Sequence, residues 1–76
     1  MPKSPQITHQ LKSFGANVRR ERVASAITQE KLAEIVDLNI RTIQKIEAGE
    51  TNILLTTLLR IQKALKCSYG SLMPKI

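Results

Sequence analysis

The tightest constraint on this chain lies near its middle. Two short apolar-periodic segments, residues 29–36 and 40–48, are separated by only Asp37-Leu38-Asn39. In "ITQEKLAEIV", Thr28 is a good N-cap and Glu30 lies in the first turn, where the helix dipole favours an acid. Leu32, Ala33 and Val36 then form an inner face. Asp37 tolerates the left-handed backbone that a tight helix exit needs. Asn39 caps a new helix whose inward residues are Ile43 and Ile46, and Gly49 stops it. Helices joined so closely must cross steeply. Ala33 supplies the small residue at the crossing, and Leu32, Val36, Leu38, Ile43 and Ile46 wedge the corner.

That spacing is the pattern of a helix-turn-helix unit. Around it the chain reads as all-α, a compact five-helix domain over residues 8–76 behind a flexible tail at residues 1–7, where Pro2 and Pro5 hinder a helix. The first helix is expected to begin after Thr8, an N-cap, and to end near Ala24 or Ser25. Leu11, Phe14, Gly15, Val18 and Arg22 share one of its sides. A fourth helix is expected over residues 55–66, and a short fifth, capped by Ser68, carries Tyr69, Leu72 and Met73 up to Pro74. Leu55, Leu58, Leu59, Ile61 and Leu65 cover an arc of about 160° on the fourth helix, whereas a surface helix needs only about 100° for its core stripe. The surplus points to a second apolar contact. A homodimer interface built from Leu54, Leu59, Leu72, Met73 and Ile76 is the expectation.

Charge narrows the function. Twelve Lys and Arg against six Asp and Glu give a formal charge of +6, which attracts polyanions, nucleic acid foremost. A lone cysteine, Cys67, allows no intrachain disulfide and no multi-cysteine metal site, and is most simply a small apolar core residue. His9 is the only histidine, and Glu30 and Glu34 have no metal-binding companions, so neither catalysis nor a cofactor is expected. The start of the chain is not a signal peptide, and its longest apolar run, Ile53-Leu54-Leu55, is too short for a membrane span. A cytoplasmic location is expected.

The polar side of residues 40–48 asks for a partner. Arg41, Gln44 and Lys45 interrupt the apolar positions, and no acid occurs between Asp37 and Glu47. The segment "ITQEKLAEIVDLNIRTIQKIEAGE" resembles the phage-repressor and Cro type of helix-turn-helix protein, the XRE-like family. The likeness extends from "FGANVRRER" to "LLRIQKALKCSYGSLM", nearly the whole chain outside the tail. Asp37 stands where the pattern usually has Gly, and Ala26 occupies another turn where Gly is common.

The resemblance implies a DNA-binding regulator whose third helix enters the major groove, in most members as a dimer on two-fold related half-sites. By position the base-facing residues are Ile40, Arg41, Gln44 and Lys45. Arg41 can pair with the O6 and N7 of guanine, Lys45 can reach a second guanine or a phosphate, Gln44 can read adenine, and Ile40 can pack on a thymine methyl. Phosphate contacts fall to Thr28 and Gln29 at a helix start, with Thr42, Thr51, Asn52 and Arg19 as further candidates and Lys12 adding attraction. The family pairs an acid at the position of Glu47 with an Arg of the first helix, which implies an Arg22–Glu47 salt bridge. The expected function is therefore a sequence-specific duplex-DNA-binding transcriptional regulator acting as a homodimer. An antitoxin holding a toxin partner and a restriction–modification controller use the same domain. A protein-interaction module with incidental charge is the alternative of a different kind.

Overall fold

The computed structural model describes residues 4–74. Among these, the secondary structure is five helices and no strand: α1 Pro5–Ala24, α2 Gln29–Val36, α3 Ile40–Ala48, α4 Leu55–Leu65 and α5 Tyr69–Leu72. The interior ends of the helices agree with the expectation from sequence, and the start of α1 does not. The Ser4 hydroxyl accepts from the Ile7 N–H at 3.1 Å, and Pro5 occupies the first helical position. There a missing N–H costs nothing and the fixed φ suits a helix. Pro5 therefore starts the helix it was expected to hinder. Residues 5–7 belong to α1 rather than to a tail, and Thr8 lies inside the first turn, its N–H bonded to the Ser4 carbonyl at 3.0 Å.

The helix-turn-helix corner is made by backbone chemistry. Asp37 adopts φ 57° and ψ 50°. That lets the Leu38 N–H reach back to the Ala33 carbonyl at 2.9 Å, while Asp37 itself donates to Glu34 at 3.3 Å. This paired closure satisfies two orphan carbonyls of α2 and turns the chain at once. The Asn39 side chain then accepts from the Arg41 N–H at 2.8 Å to open α3. The same closure ends α3, where Gly49 at φ 73° allows Glu50 to donate to Lys45 at 2.9 Å.

The core lies where α1 and α2 pack on the inner face of α3 and α4 closes against α2 and α1. It is formed by Phe14, Val18, Leu32, Ala33, Val36, Ile43, Ile46, Ile61, Leu65 and Leu72. Gly15 lets α1 approach the end of α3 so closely that a Cβ there would collide with the carbonyl oxygen of Ile46 and come within 2.7 Å of that of Glu47. The last helix is tied to α1 through its otherwise unpaired carbonyls. Asn17 Nδ2 donates to Leu72 O at 3.0 Å, and Arg20 Nη2 donates to Ser71 O at 2.7 Å. Cys67 is half-buried and packs against the core, and burial raises its thiol above its ordinary pKa, with Glu21 adding to the shift. It remains a protonated, weakly polar filler, close to the role expected for it.

Two substitutions of opposite sign test this backbone logic by urea denaturation. Gly15→Ala must push α1 off α3 and is expected to cost about 1–3 kcal/mol. Ala26→Gly relieves a residue held at φ 56° and is expected to add about 0.5–1 kcal/mol, the left-handed strain outweighing the entropy of glycine.

Candidate nucleic-acid interface

The face of α3 turned away from the core carries Arg41, Gln44 and Lys45, all exposed, with Ile40 and Thr42 half-buried at its edges. Ile43 and Ile46 on the reverse side are 0% and 2% exposed, so α3 cannot roll to hide the basic face. Ile40 divides its surface between two roles. It packs against the core and also lines a cleft with Thr28, Gln29, Glu30 and Gln44 at the starts of α2 and α3. The fold thus brings base-facing and phosphate-facing candidates from the sequence to one place. At that cleft the N-terminus of α2 adds its dipole, and Thr28 spends its hydroxyl on the Lys31 N–H at 3.0 Å as an N-cap.

Glu47 is the polar hinge of this surface. Arg22 grips its carboxylate with two bonds, Nε to Oε2 at 2.7 Å and Nη2 to Oε1 at 3.1 Å. The remaining nitrogen, Nη1, donates to the Ile27 carbonyl at 2.8 Å. Gln29 Nε2 donates to Glu47 Oε1 at 3.1 Å. The two charged side chains are 12% and 4% exposed. One network therefore joins α1, the α1–α2 turn, the first turn of α2 and the last turn of α3, and no buried side-chain polar atom among the described residues lacks a partner. The pairing implied by the family resemblance is present, and Gln29, which the resemblance also places against the third helix, reaches the same carboxylate. The amide of Gln29 is anchored on α3 through nitrogen, which leaves its oxygen without that constraint.

The remaining candidates lie further out. Thr51 is half-buried, its hydroxyl turned to the Asn52 carbonyl at 3.3 Å, and Asn52 is exposed. Arg19 is exposed on α1, between Gly15 and Arg22 along the helix, and Lys12 lies directly against Gly49 at the end of α3.

The proposed dimer surface needs one correction. Leu72 is 0% exposed and belongs to the core, because α5 turns inward against α1 and leaves that side chain nothing else to face. Leu54, Leu59 and Met73 are exposed, with Leu54 at 72%, and Ile76 lies outside the described residues. An apolar groove that the sequence reading missed runs beside them, between α1 and α4. It is lined by Ile7, Leu11, Phe14, Leu55, Leu58 and Met73, among others. The i, i+4 spacing of Ile7 and Leu11 is its trace in the sequence, visible once α1 is known to start at Pro5.

A five-helix bundle that locks the second helix of a steep corner by one face and offers a basic polar face to solvent is the architecture of a DNA-binding regulator. The helix-turn-helix family matches residues 18–72, most of the chain, and the protein belongs to that family, as a member of its phage-repressor, XRE-like branch. It is 39% identical over 59 residues to the control protein C.SmaI of Serratia marcescens, covering 78% of this chain and 70% of that one. Its fold superposes on the restriction–modification controller protein C.AhdI of Aeromonas hydrophila with a TM-score of 0.81 at 29% identity, over 86% of this chain and 98% of the other. The clp gene regulator ClgR of Corynebacterium glutamicum shares the fold at a TM-score of 0.79 and 21% identity, over 92% and 71% of the two chains.

A double-mutant cycle on Arg22→Ala and Glu47→Ala is expected to show strong coupling in denaturant unfolding. Each single change leaves a buried charge unpaired and costs about 3–5 kcal/mol, and the double mutant costs less than the sum.

Proposed function

We propose that this protein is a controller-type transcription regulator that binds duplex DNA sequence-specifically as a homodimer, with one α3 in each of two successive major grooves. The supporting observation is the presentation of Arg41, Gln44 and Lys45 on the outward face of a helix whose other face is immobilised by Ile43, Ile46 and the Glu47 network. Arg41 is assigned to guanine, where its fork meets O6 and N7 together, and Lys45, one turn on, to a neighbouring guanine or phosphate. Gln44 and the exposed part of Ile40 read the base pairs beside them. Thr28, Gln29 and the start of α2 hold phosphates, with Thr42, Thr51, Asn52 and Arg19 as outer contacts.

Homodimerisation is assigned to the apolar surface that carries Leu54, Leu59 and Met73 beside the α1–α4 groove. That surface places Leu54 and Leu55 in water at 72% and 68% exposure in the single chain. Among the alternatives, a restriction–modification controller is favoured over an antitoxin, because C.AhdI bears that description and shares nearly its full length with this fold. The role is that of a binding protein rather than an enzyme, exercised in the cytoplasm.

Selection of bound duplexes from a random pool tests DNA reading and pairing together. The expected product is a two-fold symmetric site with half-sites about 34 Å apart. Arg41→Ala is expected to cost about 1–3 kcal/mol at one base pair of each half-site and to relax preference there. An asymmetric site, or an equal loss on every sequence, would contradict the assignment.

A further inference from the structure

The positive charge of this protein is not concentrated where α3 is. Residues 1–50 carry eight Lys and Arg against six acids, whereas residues 51–76 carry Arg60, Lys63, Lys66 and Lys75 and no acid at all. Three of these cations surround one groove. It lies between α2, the turn before it and the C-terminal half of α4. Its floor includes Ile27, Ile35 and Ala64, and its rim holds Arg60, Lys63 and Lys66. No residue of α3 lines it, and neither do Thr28 or Gln29.

Two features of this groove are unexplained by folding. Ile35 points a branched apolar side chain into water at 47% exposure, while its neighbours Val36 and Leu32 are buried. The three cations are also unpaired: among the described residues no ion pair involves Arg60, Lys63 or Lys66, and Arg60 makes only a long 3.5 Å contact to the Val36 carbonyl. Lys63 and Lys66 do complement the dipole at the end of α4, and Ile27 and Ala64 also pack against the core, but Arg60 and the exposed Ile35 have no such account. Lys66 moreover closes α4 at φ 53°, a conformation in which Gly or Asn would be unstrained.

We propose that this groove is a docking site for an acidic amphipathic segment of another protein, engaged while α3 occupies DNA. The chemistry excludes simpler occupants. A purely apolar partner would bury three cations without counter-charges, which is costly. A phosphodiester backbone would meet the cations but leave Ile35, Ile27 and Ala64 facing water. A helix with apolar residues on one face and carboxylates flanking them satisfies the floor and the rim together. No residue assigned to DNA lines the groove, and simultaneous occupancy of both sites rests on the DNA-binding reading, whereas the docking itself does not.

The test uses the full chain and two synthetic probes of equal negative charge, an acidic helical peptide with leucines along one face and polyglutamate. Backbone amide NMR titration is expected to shift Ile27, Ile35, Lys63 and Ala64, with the leucine peptide binding at least about tenfold more tightly than polyglutamate. Arg60→Ser with Lys63→Ser is expected to weaken the peptide by about tenfold or more while base preference on the selected DNA stays unchanged. Lys66→Gly separates docking from folding, since it relieves backbone strain and is expected to raise the unfolding midpoint while weakening the peptide. Equal binding of the two probes, shifts confined to the Arg41 and Lys45 face, or a peptide affinity indifferent to Arg60, Lys63 and Lys66 would overturn the proposal. So would a loss of DNA binding in the Arg60–Lys63 variant as large as that of Arg41→Ala, which would give the groove to the DNA backbone.

Discussion

The ion pair between Arg22 and Glu47 is the contact on which the functional geometry depends. A carboxylate at the last turn of α3 opposes the helix dipole and would repel phosphate. The fold neutralises it by driving it inward, where a two-pronged guanidinium and the Gln29 amide occupy it. The consequence is positional. Glu47 belongs to α3, Arg22 to α1 and Gln29 to the start of α2, so the network fixes where the outward face of α3 sits relative to the start of α2. Its bonds are directional, which hydrophobic burial alone is not. With Glu47 turned inward, no ion pair among the described residues involves Arg41 or Lys45 on the outward face of α3.

The glycine and positive-φ positions serve the same end. Gly15 lets α1 press onto the carbonyls at the end of α3, close enough for Arg22 to reach Glu47. Gly49 ends α3 in left-handed conformation while the backbone of Lys12 lies against it, so this position needs glycine twice over. At Asp37, Ala26 and Lys66 the same conformation is met by residues that tolerate it less well. A small domain has little stability to spare, and holding such residues there is a local cost that the shape of the corner requires.

Much of this was legible in the sequence because the helix boundaries are marked by side chains with one dominant local use. Thr28, Asn39 and Ser68 cap, Asp37 and Gly49 turn, and α2 and α3 begin and end where those residues place them. The failures have equally specific causes. Proline breaks a helix interior but starts a helix at its first position, and only the Ser4 cap before Pro5 distinguishes the two uses. Leu72 lies in the core rather than at a subunit contact, and a four-residue helix has too little periodicity to show which way it faces. Its direction is set by Asn17 and Arg20, fifty or more residues away, holding the α5 carbonyls. Long-range polar ties of that kind leave no periodic trace. The basic residues of α3 could be found from sequence because a motif surrounds them, whereas the groove of Arg60, Lys63 and Lys66 exists only once α2 and α4 are packed together.

Methylation interference on the selected DNA site measures most directly whether α3 lies in the major groove. Methyl groups at guanine N7 project into the major groove and those at adenine N3 into the minor groove, so the two report on different faces of the same duplex. The arrangement described here predicts that N7 methylation of one or two guanines per half-site abolishes binding, that Arg41→Ala removes the effect at one of them, and that N3 methylation within the half-sites is tolerated. Interference confined to adenine N3, with guanine N7 methylation without effect, would place the protein on the minor groove and contradict the account.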